Sequence, residues 1–158
     1  MIKTTYPEYI NEVSEHLGKL RNDHNNDLRK KYPKYEMGKL NLYVDVLGVK
    51  GELILSNYLY SIGAKHELQI LLDDSPVCSW DIKLGDTTFD VKTFEHPKGN
   101  FLVNEEQHHK KRVDYYAFVL PVENNNAYIW KYKYEDVSKW NVKHFGHANA
   151  YHKKVTYE

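Results

Sequence analysis

The sequence predicts an α/β fold. Three stretches carry that prediction: a long apolar helix over residues 43–63, a tight β-hairpin over 80–94, and a second helix followed by a buried strand between 104 and 121. At 158 residues the chain is most simply one domain, large enough to bury a core.

Taken in order, "YPEYINEVSEHLGKLRNDHNNDLRKKYP" reads as one or two helices, with Pro7 near the start and Pro33 just past the end. In "YVDVLGVKGELILSNYLYSIG", Val49, Leu53, Leu59 and Ile62 recur at helical spacing, and Gly63 terminates the run. "KHELQILLDD", residues 65–74, reads as the first strand. The hairpin follows in "SWDIKLGDTTFDVKTF", where β-branched and aromatic residues alternate with polar ones around a Gly85-Asp86 loop. Asn104 is a good N-cap, with Glu105 and Glu106 in the first turn and Lys110, Lys111 and Arg112 near the end of that helix. "DYYAFVLP" is then a strand ended by Pro121; "ENNNAYIWKYKYED" is a turn plus a strand over 127–134, and "EDVSKWNVK" a short final helix.

The hairpin carries the chemistry. If Gly85-Asp86 is the loop, Leu84 pairs with Thr87 and Asp81 lies opposite Asp90, with Lys92 on the same face and Phe89 and Val91 on the other. Opposed carboxylates about 5 Å apart repel by on the order of 3 kcal/mol at an effective dielectric near 20. A hard divalent cation bound by both reverses that repulsion, and Mg²⁺ suits a site of one or two carboxylates completed by water and phosphate oxygens. The plain alternative is a solvated hairpin in which Lys92 alone neutralises the pair.

Asp81 followed by Asp90-Val91-Lys92 resembles the D-(x)n-(D/E)-x-K signature of the PD-(D/E)xK nuclease superfamily, with tryptophan rather than proline before the first aspartate. The resemblance spans roughly residues 43–134 and includes Glu52 in the preceding helix, which is similar to the family's first-helix glutamate. It implies a restriction-endonuclease-like core, a central mixed β-sheet flanked by helices, with an N-terminal helical extension over 1–42 and a C-terminal helix and basic tail over 135–158. It further implies Mg²⁺ or Mn²⁺ held by Asp81, Asp90, Glu52 and the Val91 carbonyl, Lys92 assisting the attacking water or scissile phosphate, and Gln107, Lys110 and Lys111 directed at the DNA backbone. Glu52 paired with a lysine such as Lys50 on an exposed face is the alternative for that residue, and a solvated helix face is the alternative for Gln107 and Lys110. The expected partner is DNA, and duplex cleavage would favour a homodimer. A catalytically silent nucleic-acid-binding domain and a tyrosine-rich protein-interaction module are the rival functions.

Charge is balanced, 22 basic against 22 acidic residues, yet unevenly placed. Residues 73–95 hold six acids and two lysines, whereas residues 139–154 hold four lysines and no acid, and "RKKYPK" is a second basic cluster. A single cysteine, Cys78, fits a reducing cytoplasm and a small buried strand residue better than a nucleophile. No apolar run approaches membrane-spanning length and no signal pattern opens the chain, so neither spanning nor secretion is expected. His144, His147 and His152 lack the cysteine partners of a structural zinc site, and His108-His109 reads as an exposed helix face. No Walker A, Rossmann glycine or G-x-S-x-G pattern is present.

Overall fold

The Gly85-Asp86 loop forms with the predicted register, pairing Leu84 with Thr87, Lys83 with Thr88 and Ile82 with Phe89. Gly85 has φ 56°, the left-handed conformation that glycine adopts without a Cβ clash. The computed structural model describes residues 1–33, 41–71, 80–146 and 148–158. In chain order they form β1 (Ile2–Thr5), α1 (Tyr9–Lys31), α2 (Leu42–Ser61), β2 (Glu67–Leu68), β3 (Ile82–Leu84), β4 (Thr87–Thr93) and β5 (Asn100–Asn104). α3 (Glu105–Lys110), β6 (Tyr115–Val122), β7 (Asn126–Lys133), α4 (Tyr134–Val137), β8 (Asn141–Phe145) and β9 (Ala148–Lys154) follow.

The fold is mixed α/β. A six-stranded sheet runs β1-β7-β6-β4-β3-β2, with β4 and β6 parallel and the other pairings antiparallel. Alternation along β4, β6 and β7 gives this sheet two apolar faces. Val91, Ala117, Val119 and Ile129 pack with Ile10 of α1 and Ile54, Leu55 and Leu59 of α2. Tyr116, Phe118, Leu120 and Trp130 pack with Phe101, Val103 and Tyr151 of a second, three-stranded sheet ordered β5-β9-β8.

Several expected elements differ. The N-terminal segment is not a purely helical extension: β1 pairs with β7 at the sheet edge, and a single helix follows. The strand expected over 65–74 is the two-residue β2, with residues 72–74 outside the described residues. The helix after Asn104 stops at Lys110, and β6 continues through Pro121 to Val122. β4 flanks β6 only as far as Val119, so the missing proline N–H falls where that neighbour has ended. Ile62 lies past the end of α2 and is exposed. The expected C-terminal helix is the four-residue α4, and the basic tail is the β8–β9 hairpin, turned at Gly146 with φ 61°. Cys78 and His147 lie outside the described residues. His144 is exposed and bonds Asn149 Oδ1 at 3.1 Å and the Gly146 carbonyl at 2.7 Å.

Candidate functional site

Asp90 is 2% exposed, and the face of β4 it shares with Lys92 is opposite that of Val91, which enters the core. Its Oδ1 accepts from the Lys111 ammonium, and its Oδ2 pairs with Lys92 Nζ at 2.8 Å. The β3–β4 ladder stops at Ile82–Phe89. There the Asp81 N–H donates to the Phe89 carbonyl at 2.8 Å, which offsets Asp81 from the square opposition to Asp90 that an unbroken register would give. Asp81 Oδ2 then accepts from the Val91 N–H at 2.7 Å, so a side chain takes over the position a ladder carbonyl would fill.

Close helix packing brings the third carboxylate in. At Gly51 of α2 a Cβ would lie 1.8 Å from Thr93 Oγ1, and at Gly18 of α1 a Cβ would lie 2.6 Å from Val46 Cα; both positions need glycine for the approach. Glu52, beside Gly51, is 3% exposed rather than on an open face, and its partner is Arg21 of α1 rather than Lys50. The guanidinium binds it bidentately, Nη1 to Oε1 at 2.8 Å and Nη2 to Oε2 at 2.6 Å, while Nε donates to the Ile70 carbonyl at 2.6 Å. Gly48 lies beside that fork, where a Cβ would stand 3.4 Å from Arg21 Nη1.

Three carboxylates, Glu52, Asp81 and Asp90, thus meet three cations, Arg21, Lys92 and Lys111. Burial raises the Asp90 carboxyl, but Lys111 and then Lys92 outweigh it and hold the group far below the usual range. Burial and the nearby Asp90 charge push Asp81 up, against Lys111, the Val91 N–H and Lys92. Burial and the Asp81 charge push Glu52 up to about 8 despite Arg21.

Of the residues expected to face DNA, Gln107 and Lys110 are exposed on α3; the Gln107 N–H is capped by Asn104 Oδ1 at 3.0 Å and Lys110 pairs with Glu106. Lys111 instead turns inward to Asp90. His108 is 1% exposed, not on an open face. Tyr116, which pairs with Asp90 across β4 and β6, places its hydroxyl 2.8 Å from His108 Nδ1, and His108 Nε2 lies 2.8 Å from Ser138 Oγ. Ser138 donates to the Tyr134 carbonyl, so its oxygen is left to accept from Nε2–H and Nδ1 accepts from Tyr116. This neutral tautomer agrees with a His108 pKa lowered by burial. Sequence reasoning does not reach Arg21, the inward turn of Lys111, or the Tyr116–His108 support. The spacing Gly48-x-x-Gly51, one helix face of small residues beside Glu52, is the available sign of a closely packed helix there.

The aspartate pair is a hard-oxygen donor set, which suits Mg²⁺ or Mn²⁺, although Asp90 Oδ2 already faces the Lys92 ammonium at 2.8 Å. Glu52 has both oxygens engaged by Arg21, and a cation on Asp90 would displace the Lys111 ammonium. Among the described residues, no three His, Cys, Asp or Glu side chains form a ready cation cage. Comparison of the chain with protein-family models, with curated proteins and with solved structures yields no match.

Proposed function

We propose that this protein is a metal-dependent nuclease of the restriction-endonuclease-like type, hydrolysing phosphodiester bonds in DNA. The observation that supports this best is the buried Asp90 between Lys92 and Lys111, beside Asp81, on a hairpin whose opposite, Val91 face packs on α2, the helix that carries buried Glu52. In this reading Asp81, Asp90 and the Val91 carbonyl would hold the cation. Bound Mg²⁺ or Mn²⁺ supplies Lewis-acid stabilisation of the phosphate and a more acidic water. Lys92 orients the attacking water or neutralises a phosphate oxygen. Lys111, if a cation displaced it from Asp90, would be available to neutralise a phosphate oxygen as well. Glu52, fixed by Arg21 and pushed towards its protonated form, lies behind the aspartates and would become a ligand only if that fork opened. The oxygen of water bonds to phosphorus as the bond to the 3′ oxygen breaks, and the water's proton passes by way of solvent to the departing oxygen, leaving a 3′ hydroxyl and a 5′ phosphate.

A second reading is favoured by the match of three acids to three bases: an ion network that serves only to hold α1, α2 and the hairpin together, in a nucleic-acid-binding or interaction domain. Cleavage separates the two. Wild type, Asp90→Asn and Lys92→Ala are incubated with plasmid, single-stranded and branched DNA in Mg²⁺, Mn²⁺ or EDTA. Cutting by wild type alone, abolished by EDTA, is the expected result. Intact DNA in every lane with folded wild-type protein overturns the nuclease reading.

A further inference from the structure

The three-stranded sheet is built from two acid-free segments. Residues 96–104 and 139–157 hold Lys98, Lys139, Lys143, Lys153 and Lys154, five of the 22 basic residues, and none of the 22 acids. Its register pairs Leu102 with His152, His152 with Asn141, Asn100 with Lys154 and Phe145 with Ala148. Alternation therefore sets Lys143 and Phe145 of β8, His152 and Lys154 of β9, and Leu102 of β5 on one face, while Phe101, Val103 and Tyr151 enter the core from the other. That outer face is open: Lys143 and Lys154 are exposed, and Leu102 is 40% exposed. Phe145 and His152 lie edge to face at 5.7 Å, with Lys143 Nζ 5.8 Å from the Phe145 ring.

At the end of the sheet, Trp140, His152, Lys153 and Lys154 contribute to a shallow pocket of about 360 Å³. Lys153 Nζ stands 4.7 Å from the Tyr132 ring centre and 5.8 Å from that of Trp140, a cation carried over aromatic faces. Two of the charges are partly engaged, Lys139 with Asp136 at 3.8 Å and Lys154 with the Lys98 carbonyl. Aromatic rings at intervals along a basic surface fit unpaired bases, which present their π faces, better than a duplex, which hides them.

We propose that the outer face of the β5-β9-β8 sheet, with the Trp140 pocket at its end, binds single-stranded nucleic acid. Bases stack on His152 and Phe145, and phosphates meet Lys143 and Lys154; Lys153, on the Phe101 side of β9, and Trp140, whose ring packs on Phe118 and Tyr132, contribute only where the pocket opens at the sheet's end. This surface stands apart from the Asp81–Asp90 site, and the inference holds whether or not that site cuts.

The test is anisotropy of labelled oligothymidylate, oligouridylate and duplex DNA of about 20 nucleotides, longer than a typical single-domain footprint, with full-length protein in EDTA. Wild type is expected to favour the single strands and to show quenched tryptophan fluorescence on binding, with less quenching in Trp140→Phe. The double variant Lys143→Glu/Lys154→Glu, two exposed positions, is expected to bind about tenfold or more weakly at low salt, with the salt slope reduced by roughly 0.7 for each phosphate no longer neutralised. The thymidylate and uridylate arms decide between DNA and RNA as ligand. Binding is measured in EDTA, where a metal-dependent site does not cut, so failure of cleavage and failure of binding are read separately. Absent binding, a preference for duplex, or unchanged affinity in the double variant overturns the proposal.

Discussion

Replacing Glu52 by glutamine should flatten the pH dependence of folding stability. Burial and the Asp81 charge raise the Glu52 carboxyl from 4.5 to about 8, even with Arg21 bound to both oxygens. A carboxyl whose folded pKa lies above its unfolded value keeps a proton in the folded state that the unfolded chain has released. Its contribution is therefore fully present below about pH 4.5 and is lost as pH rises towards 8. At about 1.4 kcal/mol per pK unit, the loss comes to on the order of 5 kcal/mol across the interval. Asp81, also raised, acts in the same direction; Asp90, lowered, loses stability only in strong acid. The assay is urea unfolding of wild type and Glu52→Gln by tryptophan fluorescence at several pH values between 5 and 8.5, in EDTA. The difference between the two proteins cancels histidines that titrate alike in both. Wild type should lose stability relative to the variant by about 1 kcal/mol per pH unit near neutrality. A difference that stays flat would show Glu52 fully ionised against Arg21 and refute the reasoning.

Lys111→Met should leave the buried Asp90 with Lys92 as its remaining cation in the cluster, and so destabilise the cation-free protein by about 2–4 kcal/mol. If the aspartates hold a divalent ion, the same variant should gain more thermal stability from Mn²⁺ than wild type does; a smaller gain counts against that role. Gly51→Ala should cost about 2 kcal/mol or more, since its Cβ would lie 1.8 Å from Thr93 Oγ1 and 2.8 Å from Thr93 Cβ. Adding Thr93→Ala should recover part of that stability in urea unfolding, and no recovery would place the strain elsewhere.

The β3–β4 hairpin is legible in the sequence because its information is local. A two-residue loop with glycine at its first position fixes the pairing, and the alternation of side chains then fixes which residues share a face. Asp90 and Lys92 on one side and Val91 on the other follow from nothing more. The offset of Asp81 does not follow, since it depends on a side-chain bond to the Val91 N–H that competes with the ladder. Arg21 and Lys111 are beyond reach for another reason: they sit 31 and 21 residues from the carboxylates they bind, and only the packing of α1 on α2 and the short α3 brings them there. The β8–β9 hairpin reads as a tail because β8 is solvated on both faces, so it lacks the apolar alternation that marks a half-buried strand.

The charge balance at the site bears on whether the cluster serves structure alone. A buried ion network is weak evidence of stability, because the desolvation of each charge offsets most of the attraction, and apolar residues of similar volume often serve as well. Were this network purely structural, its cations would be expected to settle its acids. Asp90 is settled, by Lys111 and Lys92. Glu52 and Asp81 are not, because burial and neighbouring carboxylates push both towards protonation. Burial and mutual repulsion thus penalise the ionised forms of Glu52 and Asp81. A proton relieves that penalty one group at a time, whereas a divalent cation on Asp81 and Asp90 would relieve it at two carboxylates together and would draw Asp90 away from Lys111. A phosphate is the anion this arrangement would then favour, and it is the group that a phosphodiester-cleaving site must bind.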